Sequence, residues 1–451
     1  MARRPKLDRR TFLRGAGASA LLGAAGVRPA GGSVLPVFGF DPDRQVFDFD
    51  EPFDRFGTNC TKWDGAVADT GHPIEVGMGI ADTDFRAAPC ITRALAERCA
   101  HENWGYLRRP AKYAEAVADW NFRRYGVEID PGDLVWTTGV HPALIAALLA
   151  FSPPGSRVLM TTPVYNGFYT DLRFTRTIPE DSPMLRVDGG RYEVDWDDFE
   201  RRAARSNVFI LCNPQNPTGN CWTEEELLRM GEICLRHRTV VLADEIHCDF
   251  VNAGQKYTPF AALPDRKIVD NSLTFKAQSK TFNLAAMKVS WWYSTNPDYQ
   301  ERVQANSRAD LPTLGLVANH AALTEGEPWL EQLLPYIDAN QDFAESYVRD
   351  HVPHLHYTKA EGTYLAWVDV REIMEAIDAE RIAAEESKSS VGTVTPGKVV
   401  QRWLAERAGV FLSPGDGFGT GGVGYMRMNL GTQRARIRQA LDNIATAVAE
   451  L

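Results

Sequence analysis

Thr239-Val240-Val241-Leu242-Ala243-Asp244-Glu245-Ile246-His247 decides how this chain folds. A short apolar run rich in β-branched residues predicts a strand covered on both faces, since a strand with one wet face would alternate apolar with polar. The run stops at Asp244, which puts a carboxylate at the strand's C-terminal end. Val208-Phe209-Ile210-Leu211-Cys212 and Arg157-Val158-Leu159-Met160-Thr161 read the same way. Before the first stretch comes Thr223-Glu224-Glu225-Glu226, a capping box that starts a helix running from Leu227 to Arg236. Strands alternating with helices argue for an α/β fold with a mainly parallel sheet. Sheets of this kind carry their sites outside the carboxyl ends of the strands.

Further out, Leu134-Val135-Trp136-Thr137-Thr138 predicts a short strand entering Gly139, with an apolar helix from His141 to Phe151 behind it. Pro89 to Ala100 and Ala111 to Tyr125 read as amphipathic helices, the second with Tyr113, Val117, Trp120 and Tyr125 along one face. Val34 to Asp50 reads as loop or arm. Beyond Pro297 the pattern is helical through Trp329 and Tyr336 to about Arg349, and Thr363 to Val370 predicts another strand. Glu375 to Lys398, polar and rich in Ala, Glu and Ser, is either a helical or a mobile surface insertion.

The composition is ordinary for a globular protein: 451 residues, 44% hydrophobic and 24% charged, enough for a large core. Net charge is -10. Residues 1–32 hold seven Lys/Arg and one Asp, so the remainder has 42 basic and 58 acidic side chains, or -16. That balance, without a basic stripe interleaved with aromatics, argues against a nucleic-acid partner. The seven cysteines are scattered without metal-ligand spacing, and most of them read as small buried hydrophobes. No run approaches the roughly 18 apolar residues of a membrane span.

Asp8-Arg9-Arg10-Thr11-Phe12-Leu13-Arg14, then the uncharged stretch Gly15 to Val27, then Arg28-Pro29-Ala30-Gly31-Gly32-Ser33, has the layout of an export signal. The paired arginines followed by Phe-Leu resemble a twin-arginine signal, which implies recognition by that export machinery and a periplasmic or extracellular location. A cut would fall near Ala30 to Ser33; an uncut segment would stay as an anchor.

Four stretches carry chemistry: Asn213-Pro214-Gln215-Asn216-Pro217-Thr218-Gly219, Asp244-Glu245-Ile246-His247, Ser279-Lys280-Thr281-Phe282-Asn283-Leu284-Ala285 and Tyr425-Met426-Arg427-Met428-Asn429. A lysine able to form a Schiff base, an acid able to hold a pyridinium and an arginine suited to an α-carboxylate are what pyridoxal phosphate chemistry requires. With Gly57-Thr58-Asn59, Lys62-Trp63-Asp64, Ala81-Asp82-Thr83-Asp84-Phe85, Gly105-Tyr106, Pro163-Val164-Tyr165 and Gly362-Thr363-Tyr364-Leu365-Ala366-Trp367, these motifs resemble the fold-type I pyridoxal-phosphate enzymes of the aminotransferase class I/II group. Within it the match is to the cystathionine β-lyase-like C–S lyases, from about Gly57 to the C-terminus.

The resemblance implies a large domain with a mainly parallel sheet flanked by helices, and a smaller α+β domain. On that pattern residues 33–85 form an arm and part of the small domain, 86–315 the large domain, and 316–451 an interdomain helix and the rest of the small domain. Lys280 would carry the cofactor and, once displaced, take the Cα proton. Asp244 would keep the ring nitrogen protonated; its bland use is a helix N-cap. Asn216 and His247 would contact the phenolic oxygen, a histidine at this place leaning towards the lyases. Tyr165 would stack on the ring, with the bond before Pro163 open to the cis form. Backbone N–H groups of Val140 and His141 would cradle the phosphate, joined by Lys288 and by Tyr106 from a partner subunit, which implies a homodimer with composite sites. Ala277 and Ala286 depart from the family's serine and glycine. Arg427 would grip the substrate carboxylate, pointing away from the side taken by Met426 and Met428.

Two outcomes share the loss of the Cα proton. Elimination of a β-thiolate gives thiol, pyruvate and ammonia from cystathionine or S-substituted cysteines, whereas reprotonation on the cofactor makes an aminotransferase of amino acids. A cofactor-less binding relative is the third alternative, disfavoured by intact Lys280, Asp244, Asn216 and Arg427. Met78 to Phe85 departs from the lyase branch's tryptophan- and methionine-bearing version, which points to a specialised amino-acid substrate.

Overall fold

Seven strands form the central sheet: β1 (Val135–Thr137), β2 (Arg157–Thr162), β3 (Ile178–Pro183), β4 (Val208–Cys212), β5 (Val240–Asp244), β6 (Ser272–Lys276) and β7 (Ser290–Tyr293). A computed structural model describes residues 45–390 and 392–451, so the twin-arginine segment lies outside the described residues. Spatial order is β1-β7-β6-β5-β4-β2-β3, and β7 alone runs opposite to the other six.

The apolar runs are explained by burial on both faces. Along β4, Val208, Ile210 and Cys212 pack with Val240, Leu242, Leu273 and Phe275 on one side. Phe209 and Leu211 pack with Val241 and Ala243 on the other. A strand period of two, applied to residues that are all apolar, fills both layers at once.

One layer is led by α1 (Val140–Phe151) and α2 (Gly167–Thr175), which pack on each other. The opposite layer includes the helix Glu224–His237, whose capping box is fully formed: Thr223 accepts from the Glu226 N–H and the Glu226 carboxylate accepts from the Thr223 N–H. Pro89–Ala100 and Ala111–Tyr125 are helices, with Tyr113, Val117 and Trp120 buried.

A second, three-stranded antiparallel sheet has the order β8 (Leu365–Asp369), β10 (Tyr425–Asn429), β9 (Ser413–Pro414). Met426 and Met428 join Ala366 and Val368 in its core, backed by the helices Pro396–Ala408 and Arg434–Val448. The opposite face therefore receives Arg427, paired in register with Trp367 and Ser413. The predicted strand from Thr363 begins two residues later, because Thr363 lies at φ 67° and closes a bend. Glu375 to Lys398 is largely helical, with helices Arg371–Ala376 and Ala379–Glu386 and the start of Pro396–Ala408. No helix among the described residues is long and apolar enough to cross a membrane.

Candidate active site

The carboxyl ends of β4, β5 and β6 open onto a cleft lined by Thr138, Gly139, Val140, His141, Tyr165, Cys212, Asn216, Asp244, Ile246, His247, Ser279, Lys280, Ala285 and Lys288. Lys280, Asp244, Asn216, His247, Tyr165, Val140, His141 and Lys288, all expected at a cofactor, thus converge on one space.

Asp244 is the last residue of β5 and 5% exposed. Its Oδ1 accepts the Ile246 N–H at 3.1 Å. Burial holds its carboxyl up at about 6, with His141 and Lys280 pulling the other way. Opposite stands Lys280, whose Nζ donates to the Ala81 carbonyl at 2.8 Å. Burial and the nearby Arg427 guanidinium lower its ammonium to about 8.

Each neighbour of Lys280 has work in holding it there. Thr281 Oγ1 donates to Asp249 at 2.6 Å. Phe282 wedges between Trp120 and Trp329, stacked on the latter at 5.7 Å. Asn283 clasps the Thr83 backbone on both sides, accepting its N–H at 3.1 Å and donating to its carbonyl at 2.9 Å. The lysine and the segment Ala81-Asp82-Thr83-Asp84 are thereby fixed to one another. That segment is anchored again from behind: Asp84 accepts Lys62 Nζ at 2.7 Å and Trp63 Nε1 at 3.0 Å, all fully buried or nearly so.

Arg427 reaches across from β10, 5% exposed, donating to Asn216 Oδ1 at 3.3 Å and to the Gly79 carbonyl at 2.9 Å. Its Nε has no partner. His247 is buried, with Nδ1 likewise unpartnered, and burial between Lys280 and Arg427 keeps it neutral, well below the ordinary histidine range. Such orphaned buried nitrogens are costly unless something binds there.

At the other end, Gly139 sits at φ 154°, ψ 161°, backbone that glycine alone adopts freely, and turns the chain into α1 without a side-chain cap. The first-turn N–H groups of Val140 and His141 lack intrahelical acceptors, and the next residue, Pro142, has no N–H to satisfy. Lys288, at φ 53°, brings an exposed ammonium to the same end. An anion is what this end accepts. Neutral histidine, buried acid, amine and anion cradle therefore fit the group expected here. The peptide bond before Pro163 is cis.

Tyr106 does not reach this cleft; its ring is fully exposed within an irregular stretch bearing exposed Trp104 and Leu107. Missed by sequence reasoning were Cys212, which ends β4 in register with Asp244, Ile246, two residues past the end of β5, and the Ala81 carbonyl, which also accepts the Tyr364 hydroxyl at 2.9 Å. Among the described residues no His/Cys/Asp/Glu group could hold a metal ion.

Comparison with known proteins agrees with this geometry. Residues 73–444 match the family described as Aminotransferase class I and II. The cystathionine beta-lyase PatB of Bacillus subtilis (strain 168) is 35% identical over 410 residues, covering 89% of this chain and 100% of that protein. Protein MalY of Escherichia coli K12 is 29% identical, covering 89% and 99%. The crystal structure of cystalysin from Treponema denticola, which contains pyridoxal 5'-phosphate, superimposes with a TM-score of 0.81 at 28% identity, over 90% of this chain and 100% of that one.

Proposed function

Because this chain belongs to the aminotransferase class I and II family, we propose that it is a pyridoxal-phosphate-dependent C–S β-lyase acting on cystathionine or S-substituted cysteines. The carrying observation is the meeting of the Lys280 amine, the buried Asp244 carboxylate and the open first turn of α1 in one cleft. Relatives of this overall length and likeness include a cystathionine beta-lyase and a protein named as a putative one.

Bound pyridoxal phosphate supplies an electron sink for the charge released when a Cα proton leaves. The chain's own groups do the rest. Val140 and His141, by backbone N–H groups, and Lys288, by its ammonium, would hold the phosphate. Asp244 would stay ionised beside the cationic ring nitrogen and keep that nitrogen charged. Neutral His247 and the Asn216 amide would serve the phenolic oxygen, and Tyr165 would cover the ring. Arg427 turns its fork to the substrate carboxylate. Lys280, its amine made available near neutrality by burial, takes the Cα proton. The electron pair left at Cα then expels sulfur from Cβ, Lys280 gives its proton to the departing thiolate, and water added to the remaining three-carbon fragment releases pyruvate and ammonia.

Purified protein given cystathionine without any keto acid should release pyruvate and free thiol in equal amounts. Turnover strictly dependent on a keto-acid acceptor would overturn the lyase reading in favour of an aminotransferase.

Two further parts of the reading rest on sequence. The motif Asp8 to Leu13 and the uncharged run behind it support export by the twin-arginine route; replacing Arg9 and Arg10 by lysine should abolish export of a fused reporter. The exposed Trp104, Tyr106 and Leu107 support a homodimer in which Tyr106 enters the partner's site; sedimentation of Tyr106→Ala and wild-type protein, with cofactor affinity, tests it.

A further inference from the structure

His141 contributes more than a backbone N–H. Its ring leaves the first turn of α1 and meets α2, where Nδ1 lies 2.7 Å from Asp171 Oδ2. Asp171 is buried at 3% exposure in the middle of α2. From the other side of the imidazole, Nε2 faces the Tyr165 hydroxyl at 3.4 Å, with the two rings 5.6 Å apart and tilted by 41°. Phe168 buttresses Tyr165 edge-on at 5.5 Å.

Local sequence makes room for this arrangement. Gly167 opens α2, and a Cβ there would come within 2.5 Å of Tyr165 Cε1 and 2.6 Å of His141 Cε1. Only a residue without a side chain lets both rings close over the helix start. Two elements, a buried acid and an obligatory glycine thus converge on one tyrosine.

Chemically, a carboxylate at Nδ1 fixes which nitrogen carries hydrogen and turns the other outward. Bound to Asp171, Nδ1–H is the donor, and the imidazolium presents Nε2–H to the Tyr165 oxygen. The Asp171 hydrogen bond raises the histidine's affinity for this second proton, burial opposes it, Asp244 assists from β5 and Lys280 opposes. The charged form is therefore held below the raised pKa and lost as pH climbs through it.

We propose that His141 is a positioning residue which, anchored by Asp171, holds the Tyr165 ring at the angle from which it covers the cofactor. This rests on the reading of the cleft as a pyridoxal-phosphate site. It adds a side-chain role for two residues, one of which no motif singles out. A pair that merely tied α1 to α2 would change the unfolding midpoint and leave the cofactor's environment alone.

The test uses the full chain stripped of cofactor and titrated with pyridoxal phosphate, read by protein fluorescence. Visible-band circular dichroism, which reports the tilt of the bound ring, is recorded beside it. His141→Phe and Asp171→Asn should each weaken affinity about tenfold, the worth of one charge-assisted hydrogen bond, and reduce the visible dichroism. The double variant should be no worse than His141→Phe alone, since both substitutions break one device. Asp171→Asn should also lower the His141 pKa, followed by NMR of histidine-labelled protein. Should either variant unfold, His141→Gln reads the same signals from a smaller change. Wild-type affinity and dichroism in the variants, or penalties that add in the double variant, overturn the inference alone. Wild-type protein that takes up no pyridoxal phosphate overturns both this inference and the reading beneath it.

Discussion

Asp244→Asn should make the cofactor-stripped protein more stable, although it removes a residue on which the proposed activity depends. The carboxyl sits at the end of β5, 5% exposed, and burial lifts it to about 6 from an ordinary value of 3.8. Because the folded-state value is raised, the folded chain keeps a proton that the unfolded chain has already released between about pH 4 and pH 6. Stability therefore falls as pH rises through that window, and the penalty is complete above it. A displacement of about two units corresponds to about 3 kcal/mol. Asparagine keeps the shape, and its Oδ1 can still accept the Ile246 N–H, which now does so at 3.1 Å. Urea unfolding of the stripped proteins should show the variant ahead by about 3 kcal/mol at pH 8 and by about half that at pH 5. With pyridoxal phosphate bound, the cationic ring nitrogen offsets the burial of the wild-type carboxylate, so the gap should close or reverse. A variant no more stable than wild type at pH 8, or a gap that ignores pH, would refute the reasoning.

Arg427→Lys keeps the charge and loses the fork, so KM for an S-substituted cysteine should rise about a hundredfold, with a smaller change in kcat; an unchanged KM in steady-state kinetics would place the substrate carboxylate elsewhere. Lys62→Met strands the fully buried Asp84 carboxylate, and denaturant unfolding should show a loss of about 3 kcal/mol, the low end for a broken buried pair because Arg55 still reaches Asp84 at 2.8 Å. Thr223→Ala removes the cap of the helix Glu224–His237; it should lower stability by about 1 kcal/mol with an unaltered denaturant slope.

How much of this could be read from residues depended on whether the controlling contact was local. The strands β2, β4 and β5 announce themselves because both faces are buried and the apolar run has no gaps. The capping box at Thr223 closes within four residues, and the orientation of Arg427 follows from its two methionine neighbours in a period of two. Lys280, Asp244, Asn216 and His247 were legible through their chemistry and order along the chain. The acceptor that holds the Lys280 amine was not, because it is the backbone carbonyl of Ala81, 199 residues away, and any residue type has one. Asp171 was equally hidden. An acid in mid-helix reads as a solvated face, and only the packing of α1 against α2 makes it the buried partner of His141.

The same contrast separates structural polarity from functional polarity inside the protein. Lys62 and Asp84 are fully buried charges, yet each is matched: the ammonium meets the carboxylate at 2.7 Å and the Asp82 carbonyl at 3.0 Å, and the carboxylate also takes the Trp63 indole. At the cleft the matching stops short. His247 Nδ1 and Arg427 Nε lack partners, and Asp244 and Lys280 are both displaced towards neutrality by burial. Well-packed apolar residues of similar volume would cost the fold nothing at such positions and could stabilise it. The unpartnered nitrogens of His247 and Arg427, together with Asp244 and Lys280 in the same cleft, suit a ligand bearing a cationic ring nitrogen, an acceptor oxygen and a carboxylate.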